Sequence, residues 1–232
     1  MSREQNIRIK EDNDRLFENG AFDGMRSEFF SDLAPVENPR GGKFSVAENT
    51  VKLTTIACIL ENAGKNKKII ALNFASAHKP GGGYVTGAVA QEESVCRASG
   101  LYYTIKDVSE YYEQNGRHKT SDYTDGIIYS ENVPVVRDDS GALLKTPVLC
   151  DFITCPAVNK GAARLPDSEV NAKMKQRIKK IITLAASKKP DVVILGAFGC
   201  GVFRNRREDV LPLFEAAIEQ YGGDIEYIFA IP

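Results

Sequence analysis

Lys68-Ile-Ile-Ala-Leu-Asn-Phe74 runs directly into Ala75-Ser-Ala-His-Lys-Pro-Gly81-Gly82-Gly83-Tyr-Val-Thr-Gly87. The first half is a short, continuous apolar run, the pattern of a strand buried on both faces. The second half is a loop in which consecutive glycines strip every Cβ from the backbone. Main-chain N–H groups are then open to close approach by a ligand. A buried strand that delivers a bare loop is the building unit of an α/β domain, and ligands of such domains bind at the carboxyl ends of the strands.

The pattern continues on either side. Leu53, Ile56, Ala57, Leu60 and Ala63 recur at helical spacing, and Gly64 ends the run. Residues 93–112 suit one helix. Residues 126–137 read as a strand, placed near an edge by Pro134. Asp138-Asp-Ser-Gly141 reads as a turn, and Val148–Thr154 as another buried strand. Asp167 or Ser168 is predicted to cap a helix whose stripe is Val170, Met174, Ile178, Ile181, Ile182 and Ala185. The lysine-rich opposite face of that helix is read as solvated. Asp191–Leu195 and Ile225–Ala230 are further strands. Between them, Asn205 and Glu208 have capping-box spacing ahead of a Val210, Leu213, Phe214, Ala217, Ile218 helix, which Gly222 and Gly223 stop. Alternation of strands and helices predicts an α/β sandwich with a largely parallel central sheet.

The first 45 residues look irregular, yet Leu16, Phe17, Phe22, Met25, Phe29, Phe30 and Leu33 carry too much apolar surface for a free tail. Residues 1–45 are therefore read as an extension packed on the body, joined through the turn-rich Pro35–Gly42, and 46–232 as the main domain. The 232 residues suit one structural domain. No apolar stretch approaches the ~18 residues of a membrane span, and the amino terminus lacks the apolar run of a signal peptide. Five cysteines, an odd number lying mostly in apolar segments, are read as reduced in an intracellular, cytoplasmic protein. Cys150 and Cys155 lack a second pair, and His78 and His118 are the only histidines, so no structural zinc is expected.

With 30 basic against 31 acidic residues, net charge −1, the chain has no uniformly basic surface for bulk binding of nucleic acid. A local anion site built from amides remains open. A second loop, Gly196-Ala-Phe-Gly199-Cys-Gly201-Val-Phe203, lies between a strand and a helix start, the setting of such a site. Two facing amide nests suit a diphosphate. Neither loop has the Gly-Lys-Ser/Thr ending of a P-loop or a dinucleotide-binding fingerprint.

Gln91-Glu92-Glu93 follows the first loop. Acids at a helix start are commonly solvent-exposed, but these border the predicted cleft. Repulsion between neighbouring carboxylates, or partial burial, keeps one of them protonated near neutral pH. A protonated glutamate can donate to the leaving oxygen of a glycosidic bond. Adjacent residues do not face each other across a substrate, so one proton donor and one positioner is the better division than an opposed acid and base. Cys96 and Cys200 are weaker candidates, as thiolates lacking a local signature. His78 and Lys79 adjoin the first loop as either ligand contacts or bystanders. Phe203 is either core or a ring against a sugar or base.

Asn73–Glu93, with its triple glycine, short spacer and Gln-Glu-Glu, resembles the signature of the bacterial-type poly(ADP-ribose) glycohydrolases. Ser94–Tyr102, Asp151–Pro156 and Leu195–Asn205 resemble the same family, so the likeness covers most of the chain. It implies a macrodomain-like three-layer sandwich, a central mixed sheet with helices on both faces. It implies hydrolysis of the ribose–ribose O-glycosidic bond at the ends of poly(ADP-ribose), with ADP-ribose as product and neither metal nor cofactor. By position, Glu93 would be the general acid and Glu92 would hold ribose hydroxyls. Gly81, Gly82 and Gly83 would shape the ribose and diphosphate site, and Gln91 would support the loop. Gly199, Gly201 and Val202 would wrap the diphosphate, Phe203 would position the terminal ribose, and Asn73 and Cys200 complete the substrate contacts. The expected partners are poly(ADP-ribose) or ADP-ribosylated protein, with no membrane partner and a monomeric enzyme. Phe22, Phe29 or Phe30 is a candidate wall for the adenine. The competing readings are a hydrolase of mono-ADP-ribosyl groups on protein or nucleic acid, and a non-catalytic ADP-ribose-binding module.

Overall fold

The computed structural model describes residues 1–18, 22–64 and 67–232. In chain order the helices are α1 (Arg3–Glu18), α2 (Thr55–Ala63), α3 (Gln91–Ala98), α4 (Leu101–Ile105), α5 (Ser109–Arg117), α6 (Lys160–Ala163), α7 (Asp167–Ser187) and α8 (Arg207–Tyr221). The strands are β1 (Arg26–Phe30), β2 (Thr50–Val51), β3 (Ile69–Phe74), β4 (Ile127–Arg137), β5 (Leu143–Cys155), β6 (Val192–Leu195) and β7 (Glu226–Ala230). They form one seven-stranded sheet in the order β1-β4-β5-β3-β6-β7-β2. The run from β5 to β2 is parallel, whereas β4 is antiparallel to both β5 and β1. The sheet is thus mixed, and the apolar run at 68–74 forms its central strand.

Alternate residues of β3 feed opposite cores, as the two-residue period of a strand requires. Ile70 and Leu72 join the core beneath α7 and α8, with Met174, Ile178, Ile181 and Phe214. Ile69 and Ala71 join the core beneath α2–α5, with Ile59, Val95, Leu101 and Tyr111. Each such isoleucine or phenylalanine stabilises the fold by roughly 1.5–3 kcal/mol relative to exposure. Helices on both faces and a sheet between them make the three-layer sandwich.

Several local expectations need correction. The amino-terminal segment is irregular only in part: α1 and β1 are regular, whereas residues 31–49 carry neither helix nor strand. Ser2 and Gln5 form a reciprocal cap that starts α1. Ser2 N donates to Gln5 Oε1 (2.7 Å) and Gln5 N to Ser2 Oγ (3.2 Å). The buried side chains of this helix are Asn6, Asn13 and Phe17, so it lacks the apolar stripe that marks a helix in sequence.

The predicted helix at 93–112 is broken into pieces. At Ser99 the backbone is extended, and Gly100 N donates to Pro134 O (3.0 Å). Pro134 lies in an interior strand, but β1 stops pairing with β4 at Glu131. The carbonyl of Pro134 meets the break between α3 and α4 on the side that β1 leaves open.

Neither predicted cap forms by its side chain. Pro166 precedes α7, so Asp167 is its first residue. Arg206 precedes α8, and Asn205 is buried in a different task described below.

Candidate active site

β3 and β6 are parallel neighbours, so the loops that leave Phe74 and Leu195 emerge side by side at one edge of the sheet. In the first loop Gly81 and Gly82 have φ of +66° and +59°, a left-handed pair closed by the Gly82 N to Lys79 O bond (2.9 Å). A 3-10 turn at Tyr84–Thr86 follows.

This loop wraps the two acids. Gly83 N donates to Glu93 Oε1 (2.8 Å), and Ser76 N to Glu92 Oε2 (2.7 Å). Asn73 Nδ2 donates to Glu92 Oε1 (3.3 Å). The sequence suggests a diphosphate nest at this loop; here the Gly83 amide is turned inward onto a carboxylate instead. Glu92 is 3% exposed and Glu93 8%.

Gln91 ties the start of α3 to the sheet. Its Nε2 donates to Leu72 O (2.8 Å) and Thr55 Oγ1 (3.1 Å), and its Oε1 accepts from Phe74 N (2.9 Å). The order Gln-Glu-Glu at a helix start thereby sets both carboxylates under the glycine turn.

Burial pushes the Glu92 carboxyl up to about 8, against the donors Ser76 N and Asn73, with the Glu93 charge adding to the rise. The consequence for stability has a definite sign. Well below pH 4.5, the carboxyl is protonated in folded and unfolded chains alike. Above that the unfolded chain ionises while the folded one keeps its proton, so stability falls with rising pH. The contribution is fully present below the unfolded value and lost once pH passes about 8. Glu92→Gln removes this slope. Urea unfolding from about pH 5 to about pH 8 should show the variant gaining on the unchanged protein by a few kcal/mol. A difference that stays flat across that window would refute the burial argument.

The second loop leaves four of its amides free. Cys200 N donates to Ala197 O and Arg204 N to Gly201 O. Among the described residues, the amides of Gly199, Gly201, Val202 and Phe203 donate to no protein group. Gly199 has φ +72°, and a Cβ there would lie 2.5 Å from Ala157 Cβ. Asn205 holds the loop shut from behind: its Nδ2 donates to Val158 O (2.8 Å) and Gly199 O (3.1 Å). The first turn of α8 already carries Glu208 and Asp209, the latter paired with Arg206 at 2.7 Å. An anion would therefore be held by the loop amides rather than by the α8 dipole.

Against the second loop lies a cavity of about 410 Å³ lined by Phe74, Ala157, Gly199, Gly201 and Phe203, among others, and by no residue of the 75–87 loop. Val89 (73% exposed) and Val202 (80%) form its opposite lips. A second cavity of about 280 Å³ adjoins it through Phe74, Ala90, Gln91 and Ala197, and reaches Thr54, Asp139 and Arg207. Gln91 lines both cavities, whereas Glu92 and Glu93, under the glycine turn, line neither.

The remaining candidates are dispersed. Cys96 is fully buried, and burial holds its thiol well above the usual range. Burial likewise pushes Cys200 up to about 11. In both, burial outweighs the neighbouring arginine, Arg97 for Cys96 and Arg207 for Cys200, so neither is a ready thiolate. Cys150 and Cys155 project into the opposite cores of the sheet and cannot share an ion. Among the described residues no group of three or more His, Cys, Asp or Glu is placed to hold a metal. Phe22 packs near Phe17, Phe29 against Tyr111 and Phe30 under Lys188, all away from the cleft.

His78 is exposed, and its ring meets Tyr123 edge-on at 5.3 Å. Phe203 is half-buried, lining the cavity and lying 5.8 Å from Tyr123. Tyr123 and Asn205 escape sequence reading. Tyr123 (φ +57°) is set by the buried Arg177, whose Nη2 donates to Asp122 O (2.9 Å) and Tyr123 O (3.2 Å). No local pattern announces either role. Among the described residues, no helix is long and apolar enough to cross a membrane.

The family model of the microbial-type PARG catalytic domain matches residues 3–138. Solved poly(ADP-ribose) glycohydrolases extend the likeness. One from Thermomonospora curvata, bound to the inhibitor ADP-HPD, is 28% identical with a TM-score of 0.82, over 98% of this chain and 93% of that one. One from Deinococcus radiodurans, in complex with ADP-ribose, is 39% identical with a TM-score of 0.72, over 78% of this chain and 75% of that one. No curated protein sequence matches the chain.

Proposed function

The chain belongs to the microbial-type poly(ADP-ribose) glycohydrolase family, and from that premise we propose how its cleft divides the work of hydrolysis. The enzyme is a glycosidase acting on poly(ADP-ribose). The observation that carries the residue assignment is the buried Glu92–Glu93 pair beneath Gly82, next to a loop of unpaired amides.

In this reading the amides of Gly199, Gly201, Val202 and Phe203 hold the diphosphate of the terminal unit. The Phe203 ring packs on its ribose, and the adenosine half enters the cavity bounded by Thr54 and Asp139. Ribose hydroxyls donate to Glu92, which favours its ionised form. Glu93, as the general acid, delivers a proton to the glycosidic oxygen as the bond to the anomeric carbon breaks and an oxocarbenium-like ribose forms. Water attacks that carbon, its proton returns to Glu93, and ADP-ribose leaves. The shortened polymer keeps the former glycosidic oxygen as a hydroxyl. No metal takes part in this scheme, and the working unit is the monomer, with residues 1–45 part of it.

The test is incubation with a poly(ADP-ribosyl)ated protein and with a mono-ADP-ribosylated one, followed by chromatography of the released products. Free ADP-ribose from the polymer is the expected result. Release from the mono-modified protein alone would move the scissile bond to the protein linkage. Tight ADP-ribose binding without release would make the chain a reader.

A further inference from the structure

α1 touches the catalytic glycine turn along much of its length. Arg3 Nε donates to Thr86 O (2.8 Å) and Asn6 Nδ2 to Gly87 O (3.1 Å). Gly87, with φ +76°, lets the two segments close: a Cβ there would lie 2.7 Å from the Arg3 carbonyl oxygen. Further along α1, Tyr103 donates its hydroxyl to Asp14 Oδ1 (2.8 Å), and the same hydroxyl lies 3.4 Å from Tyr84 Oη.

Asn13 is the node of this contact. It is fully buried, and both ends of its amide are used. Nδ2 donates to Arg97 O (2.9 Å) and to Tyr84 Oη (3.3 Å), and Oδ1 accepts from Arg137 Nε (2.9 Å). Arg97 O is an orphan carbonyl of the last turn of α3, so the amide also caps that helix. Tyr84 directly follows Gly83, whose N–H holds Glu93. Arg97 lies one turn beyond Glu93 on the same helix, and its Nη1 donates to Ala88 O (2.7 Å). Glu93 is therefore gripped between a turn and a helix that are fastened to one amide. A packing role alone would not demand a buried side chain bonded to three separate elements, because an apolar residue packs without needing partners.

We infer that Asn13 is a positioning residue for the carboxylate pair, acting through the Tyr84 turn and the last turn of α3. This rests on the glycohydrolase reading only for its effect on turnover. It makes α1 a working part of the site rather than an appendage. The substrate's diphosphate is held by the other loop, so loss of Asn13 should impair kcat and leave binding almost untouched.

Asn13→Asp keeps the acceptor for Arg137 and removes both donations. Its kcat on poly(ADP-ribose) should fall by about 10- to 100-fold, the cost of a small misplacement of a reacting group. The dissociation constant for ADP-ribose should stay within about threefold in the same comparison. Hydrogen exchange at the amides of Gly83, Tyr84, Thr86 and Gly87 should quicken, and Asn13→Leu should do the same. Ile181→Ala, in the core under α7, serves as a variant matched for thermal destabilisation.

Wild-type kcat in Asn13→Asp would overturn the inference. So would a loss no larger than that of Ile181→Ala at equal Tm, or a loss of ADP-ribose affinity in step with kcat. Should the unchanged protein release no ADP-ribose, the function reading fails. The exchange rates at residues 83–87 still decide the positioning: unchanged rates overturn it and quickened rates support it.

Discussion

Glu93→Gln should lower kcat on poly(ADP-ribose) by about 10³-fold, the usual span for removal of a positioned acid–base group. The substitution is nearly isosteric. The Gln Oε1 can still accept from Gly83 N, which now holds Glu93 at 2.8 Å, so the glycine turn should not reorganise. What disappears is the exchangeable proton needed by the leaving oxygen and then by the attacking water. ADP-ribose should therefore bind the variant with an affinity close to that of the unchanged enzyme. Calorimetry beside single-turnover product analysis separates the two effects. Normal turnover in Glu93→Gln would remove Glu93 from its assigned role.

A single methyl group should be nearly as damaging. Gly82 has φ +59°, and a Cβ there would lie 2.7 Å from Glu93 Oε1 and 3.0 Å from Glu92 Oε2. The left-handed backbone costs a non-glycine residue about 1–2 kcal/mol. The carboxylates cannot swing aside freely, because both are buried and fixed by the amides of Gly83 and Ser76. Gly82→Ala should therefore cut kcat by about 10²-fold or more through displacement of the acid. Gly116→Ala, in α5 where a Cβ meets nothing within 4 Å, is the matching control. The comparison needs kcat and Tm for both variants. If Gly82→Ala retained full activity, the close packing of glycine on carboxylate would have no catalytic weight.

Much of this site can be read from residue order. The strands β3, β6, β7 and the second half of β5 are largely apolar because helices cover both faces of the sheet there, and the stripes of α7 and α8 follow for the same reason. Glycines after β3 and β6, with an acid pair after the first, mark the cleft because chain order places all of them at one sheet edge. What escapes is whatever depends on a partner far along the chain. α1 turns asparagines inward, since its neighbours are carbonyls and hydroxyls rather than a core. The helix predicted over 93–112 yields at Ser99 to a bond with Pro134, which no local period encodes. Asn205 has the spacing of a cap, yet its amide braces the loop at Gly199. The inward turn of the Gly83 amide depends on Glu93, which reaches it only through the bend of the chain between them.

The side chain of Gln91 imitates a peptide group. It offers an oxygen to Phe74 N and a hydrogen to Leu72 O, the pair of bonds that a parallel neighbour would make opposite Asn73. It does so where β6, whose pairing with β3 ends at Ala71, no longer reaches. α3 thus begins as an honorary rung of the sheet, and its acids are tied to the innermost strand rather than carried on a surface loop. The same reasoning explains why the residue before the two acids could not itself be an ionised acid. A carboxylate would answer Phe74 N but have no hydrogen for Leu72 O, and the last rung would open.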